Sequence, residues 1–299
     1  MRRGTYSIVA RDPSSGELGV AVQSHWFSVG SLVTWARPGV GAVATQSIAE
    51  VAHGPNALER MAEGSGARAA IDAVLAADEL ARFRQLGVVD AGGGAAAHTG
   101  AGCIPHAGDE VGDGFACQAN IMAGTTVPGS MAAAYRAHDG DLAERLLASL
   151  EAAEAEGGDL RGRQSAALLV VPAEGEPWRT RFDVRVEDAP APLPELRRLL
   201  RLARAYETAE EGDTLLAAGS REQARARYLA ATELAPEADE LLFWGGVCEA
   251  AEDLQRGVEM VRRATAKNPA LLTLLERLPP DLEPMAEPLL AALRAEPLR

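Results

Sequence analysis

Short apolar runs of strand length, separated by turn residues, fill the first half of the chain. Residues 5–11 (TYSIVAR) are β-rich, residues 12–16 (DPSSG) carry turn formers, and residues 17–24 (ELGVAVQS) return. Residues 32–37 (LVTWAR) and 40–46 (VGAVATQ) flank Pro38-Gly39 and predict a second hairpin. Residues 85–90 (QLGVVD) and 95–99, across the AGGG turn, predict a third. The pattern becomes helical after Gly54-Pro55, again over 67–77, over 128–138 and over 142–156, where Leu142, Leu146, Leu147 and Leu150 share one face. Residues 115–121 (FACQANI) predict a further strand. Residues 164–171 (QSAALLVV) form an unbroken apolar run suited to a strand covered on both faces, and 180–187 (TRFDVRVE) alternate as an edge strand does. The order is strands, two helices, strands, two helices, strands. Short hairpins imply largely antiparallel sheets, and paired helices imply layers over sheet faces. The expected class is therefore α/β (α+β), a layered sandwich and not a doubly wound parallel sheet.

The pattern changes after Asp188. Residues 189–194 (APAPLP) read as a stiff proline-rich linker, and every later segment is helical. The expected domains are residues 1–188 and a small all-α domain at 195–299. Pro236 and Pro269 each end a helix and lie 33 residues apart. Leu215, Ala218, Gly219, Ala224, Tyr228 and Ala231 precede the first; Leu242, Gly246, Ala250, Gly257 and Ala264 precede the second. Small residues at helix crossings, an aromatic and a closing proline resemble tetratricopeptide repeats, whose period is about 34. An ordinary helical bundle remains the alternative. Either form suits an accessory module for protein contacts or assembly, so a homo-oligomer, with a protein partner at the tail, is the expectation.

Charge and composition narrow the chemistry. The 299-residue chain carries 43 acidic and 29 basic residues, a net charge of -14, which disfavours nucleic-acid binding. Its single lysine, Lys267, lies in the helical tail, so lysine Schiff-base or general-base chemistry is excluded from the first domain. Cys103, Cys117 and Cys248 are too few and scattered for a disulfide framework. No apolar run approaches the roughly 20 residues that span a bilayer, and the N-terminus lacks a signal-peptide h-region, so a cytoplasmic protein without membrane contact is expected.

Several polar residues sit where strands end. His25 can act as acid or base, with Ser24 beside it to contact substrate, unless it is simply a surface histidine at a strand end. Thr45 and Gln46 close the fourth strand, where polar side chains can bind substrate, and Asn120 can offer an amide donor to an oxyanion. The glycine-rich stretch 157–165 (GGDLRGRQS) places Asp159, Arg161 and Gln164 just before a buried strand, suited to substrate binding, although Arg161 or Arg163 can instead pair with Asp159. His98, Cys103, His106 and Asp109 have zinc-ligand side chains but no metal-site spacing, so neither a metal nor a cofactor is expected. Gly92 to Gly94 lack the Lys-Ser/Thr of a phosphate loop.

Several segments together resemble one family. They are residues 5–12 with 16–22, 35–46 (WARPGVGAVATQ), 86–90 (LGVVD), 98–100 (HTG) and 157–166 (GGDLRGRQSA). They are similar to the bacterial and archaeal family catalogued as domain of unknown function 1028, within the N-terminal-nucleophile (Ntn) hydrolase-like proteins. The resemblance covers nearly all of the first domain and implies a four-layer αββα sandwich. It also implies chemistry at Thr5: in active Ntn enzymes the first residue after processing attacks a carbonyl while its free α-amine, of pKa about 8, serves as base. Relatives begin Met-Thr, whereas here Thr5 follows Gly4, so either the true start differs, or self-processing removes residues 1–4, or Thr5 is never a free N-terminus. The leading expectation is an Ntn-type hydrolase of an amide or other C–N bond in a small molecule, with Thr5, His25 and Asn120 as catalytic candidates. The alternative is a non-catalytic scaffold that binds a ligand or partner.

Overall fold

The computed structural model describes residues 4–295, which divide into two compact units between Arg197 and Arg198. In the first unit, β1 (Thr5–Arg11) and β2 (Leu18–Ser24) form a hairpin. A single helical turn, α1 (Gly30–Val33), precedes β3 (Thr34–Arg37), which pairs with β4 (Gly41–Ser47). Two helices follow, α2 (His53–Ala62) and α3 (Ala67–Leu75), then the hairpin of β5 (Arg84–Asp90) and β6 (Ala95–Thr99). Next come β7 (Gly108–Gly112), β8 (Phe115–Asn120), α4 (Val127–Ala137), α5 (Leu142–Ala155), β9 (Ser165–Val171) and β10 (Phe182–Val186).

The strands make two sheets, β10-β9-β2-β1-β8-β7 and β3-β4-β5-β6, with every pairing antiparallel. Side-chain alternation gives each strand two jobs. Val9, Val20 and Val22 meet Ala42, Ala44 and Val89 between the sheets. Val43, Leu86 and Val88 turn outward onto Leu58, Met61 and Ile71 of α2 and α3. Helices α4 and α5 cover the larger sheet on its other face, where Leu142, Leu146, Leu147 and Leu150 are all buried.

Three hairpins, both helix pairs and the edge strand fall where the hydrophobic pattern predicts them. The second hairpin starts later than expected because residues 30–33 form α1. Strand β7 (GDEVG) was not anticipated; its residues barely alternate in hydropathy, and it forms on the free edge of β8. The proline-rich segment differs too. Helix α6 (Pro192–Ala217) begins inside the expected linker, since Pro192 and Pro194 sit in a first turn where backbone N–H groups need no helical partner. Leu193 and Leu196 are buried, and Arg197 bonds Glu151 and Glu144 of α5, so the first unit runs past Asp188.

In the second unit α7 (Arg221–Leu234), α8 (Asp239–Glu249), α9 (Leu254–Lys267), α10 (Ala270–Arg277) and α11 (Ala286–Ala295) pack on one another and on the later turns of α6. The α8–α9 crossing depends on Gly257: a Cβ there would stand 2.6 Å from the Ala250 Cβ and 2.7 Å from the Gly246 carbonyl oxygen. Among the described residues no helix is long and apolar enough to cross a membrane.

Candidate active site

The space between the sheets is apolar at one end and polar at the other. At the polar end β1, β5 and β9 begin while β2, β4 and β8 finish. Thr5, Ser7, Ser24, Gln118 and Asn120 come from the six-stranded sheet, Gln46 and Gln85 from the four-stranded one, and none is more than 1% exposed. The register explains the grouping: Thr5 lies opposite both Ser24 and Asn120, and Ser7 lies opposite Gln118.

Hydrogen bonds link these side chains in one direction. The Gln85 Nε2 amide donates to the Thr99 hydroxyl (2.9 Å) and to the carbonyls of Ala119 (2.9 Å) and Gly108 (3.2 Å). Its Oε1 must then accept, and it does so from Gln46 Nε2 and Asn120 Nδ2, both at 2.8 Å. Gln46 Oε1 accepts from Ser7 Oγ at 2.6 Å, and Ser7 Oγ accepts from Gln118 Nε2 at 2.6 Å. The chain leaves two buried acceptors, Asn120 Oδ1 and Gln118 Oε1, without a partner among the described residues. Ser47 (φ 69°) and Ile121 (φ 60°) directly follow Gln46 and Asn120. A left-handed backbone is costly for a β-branched residue such as Ile121, and strain of this kind gathers at functional sites.

Thr5 joins the cluster through its hydroxyl and the carbonyl before it. Thr5 Oγ1 donates to Ser24 Oγ (3.1 Å), and Ser24 Oγ in turn donates a short hydrogen bond to the Gly4 carbonyl oxygen. The same oxygen accepts from Arg161 Nη2 at 2.8 Å. Arg161 is held by Asp159, whose carboxylate accepts from Arg161 Nη2 (2.7 Å), Nε (3.1 Å) and backbone N (2.9 Å), and from the His25 backbone N (3.1 Å). Asp159 also presses on Gly4. A Cβ at position 4 would stand 2.7–2.9 Å from the carboxylate atoms, so only glycine fits without a shift. The carbonyl preceding the threonine is therefore polarised by a hydroxyl and a guanidinium. Such donors stabilise the oxyanion that forms when a carbonyl is attacked.

Of the residues singled out in the sequence, Thr5, Ser24, Gln46, Asn120, Asp159 and Arg161 gather here. Three do not. The exposed His25 ring bonds the Arg163 carbonyl (3.2 Å), and only its backbone reaches Asp159. Thr45, on the opposite face of β4 from Gln46, donates to the Glu50 carbonyl (3.1 Å). Gln164 donates to Asp188 (3.2 Å). The amide of Asn120 is committed to Gln85, so its open atom is an acceptor. Ser7, Gln85 and Gln118 were not singled out, although Thr5 with Ser7 and Gln118 with Asn120 lie two apart in otherwise apolar strands, a spacing that signals Ser7 and Gln118 but not Gln85. His98, Cys103 and His106 bond separate backbone carbonyls and Asp109 accepts from Thr99; among the described residues no three His, Cys, Asp or Glu converge as metal ligands.

A second buried polar group is structural. Asp78 receives Arg84 Nε (2.7 Å) and Nη2 (3.2 Å) and bonds His53 Nε2 (2.7 Å). The Arg84 guanidinium, followed by His53, holds the Asp78 carboxyl well below the usual carboxylate range. Its folded value lies below its unfolded value, so the stabilisation is complete above about pH 4 and lost as pH falls toward the folded value. Asp78→Asn is thus expected to lower the urea midpoint at about pH 7, with the gap to wild type narrowing by about pH 3. A gap independent of pH would assign the loss to packing.

The family described as "Family of unknown function (DUF1028)" matches residues 5–196. A solved structure, that of protein SPO2555 from Silicibacter pomeroyi, is 31% identical over an alignment that covers 67% of this chain and 86% of that one, with a TM-score of 0.62. That protein too is described as DUF1028. No curated protein matches the chain.

Proposed function

The chain belongs to the DUF1028 family, whose function is unknown, and we propose that its N-terminal unit is an Ntn-type hydrolase of an amide or other C–N bond in a small molecule. One observation carries this reading: the Gly4 carbonyl oxygen is held by Ser24 and Arg161 while the Thr5 hydroxyl bonds Ser24 beside it. Two helix-covered sheets with the candidate nucleophile at the start of a central strand support it too.

Maturation comes first. Thr5 Oγ1 forms a bond to the Gly4 carbonyl carbon, the bond from that carbon to the Thr5 nitrogen breaks, and the hydroxyl proton passes through Ser24 to that nitrogen. Water then cleaves the ester, releasing residues 1–4 and leaving Thr5 with a free α-amine. Met1, Arg2 and Arg3 lie outside the described residues, and Gly4 is the required small residue against Asp159.

Substrate hydrolysis repeats the chemistry. The substrate carbonyl oxygen takes the place of the Gly4 oxygen between Ser24 and Arg161, and Thr5 attacks with its α-amine as base. Asp159 keeps Arg161 aimed and borders the acyl side. Asn120 Oδ1 accepts from the Thr5 ammonium or a substrate N–H, in place of the oxyanion role expected of its amide. The helical unit enters this reading as a tetratricopeptide-like accessory module.

Full burial of Thr5 favours a second reading, a non-catalytic scaffold. Covalent capture separates the two. Incubated with a β-lactone, the enzyme should gain one acyl group, mapped by peptide mass to Thr5. A protein that stays unlabelled, or is labelled only at cysteine, would count for the scaffold.

A further inference from the structure

The helical unit holds an open cavity of about 620 Å³, a volume in the range of small-molecule sites. Its lining is largely apolar and aromatic, with Trp244, Tyr228, Leu241 and Val247 joined by Leu278, Leu282 and Met285 from the segment after α10. Charge on the walls has one dominant sign: six carboxylates face two guanidiniums, and Arg225 is already engaged by Glu249 at 2.7 Å. Tyrosine hydroxyls orient two of the acids. Tyr228 donates a short hydrogen bond to Asp213, and Tyr206 donates to Glu240 at 3.2 Å. Glu210, Glu222 and Glu252 make no ion pair among the described residues.

We propose that this cavity binds an amphiphilic organic cation: a small molecule with an alkyl or aryl body and an ammonium or guanidinium head. The body removes the Trp244 and Leu282 surfaces from water. The head lies over the indole or a phenol, which attracts cations through the ring face, and pairs with Asp213 or Glu240. An anion of the same shape is repelled by the unpaired acids. A basic side chain of a partner polypeptide offers the same head group, but a cavity of about 620 Å³ has the size of a small-molecule site. The small molecule is therefore the occupant.

Titration calorimetry on the full chain tests this with diaminooctane, with suberate as the charge-reversed probe of equal length, and with a capped lysine-rich peptide. The expected result is saturable diaminooctane binding that weakens with salt, with no heat from suberate. Asp213→Asn combined with Glu240→Gln should weaken binding about tenfold. Glu252→Gln, at an exposed position, should weaken it by a smaller factor in a protein whose circular dichroism is unchanged. Four results would overturn the proposal: no saturable binding, equal binding of suberate, affinity untouched by these variants in folded protein, or binding of the peptide alone.

Discussion

The Thr5→Ala protein is expected to keep residues 1–4 and to lose amide hydrolysis by about a thousandfold or more, the scale for removal of a covalent nucleophile. Folding should hardly notice. The substitution deletes one buried hydrogen bond, Thr5 Oγ1 to Ser24, worth about 1 kcal/mol, and leaves the β1 ladder to β2 and β8 intact. Thr5→Ser is the paired control: it keeps the hydroxyl and should retain processing and activity. Hydrolysis that survives in Thr5→Ala would move the chemistry elsewhere or leave the scaffold reading standing.

The second large effect is on stability. Gln85→Leu should cost about 3 kcal/mol, because a buried amide that loses its partner forfeits its hydration without compensation. Asn120 Nδ2 would keep only its 3.5 Å approach to the Thr5 carbonyl, and the Ala119 and Gly108 carbonyls would each lose a donor. Gln46 is better insured, since its Nε2 also reaches the carbonyls of Thr5 and Gln118 at 3.3 Å. The measurement is the urea midpoint at unchanged m-value. A loss below about 0.5 kcal/mol would mean that packing, not this chain of amides, joins the sheets at their polar end.

Much of this was visible in the sequence, for identifiable reasons. Hairpins with compact turns and alternating strands declare themselves locally, so β1–β2, β3–β4 and β5–β6 were legible. Thr5 with Ser7 and Gln118 with Asn120 fall two apart, a spacing that puts each pair on one face of a strand. The same rule separates Thr45 from Gln46, since neighbours on a strand point to opposite sides and only one can enter the cluster. Gln85 was not legible because its importance depends on which strands of the facing sheet it meets. The Arg161 contact with the Gly4 carbonyl joins residues 157 positions apart, and spacing within either segment does not reveal it. Proline misled at α6, where Pro192 and Pro194 start a helix that composition alone reads as a linker.

Maturation between Gly4 and Thr5 is read from the intact mass of the purified, active protein. The expected mass lacks residues 1–4, with Thr5 as the first residue on N-terminal sequencing. Active protein that retains Met1 or Gly4 would contradict it.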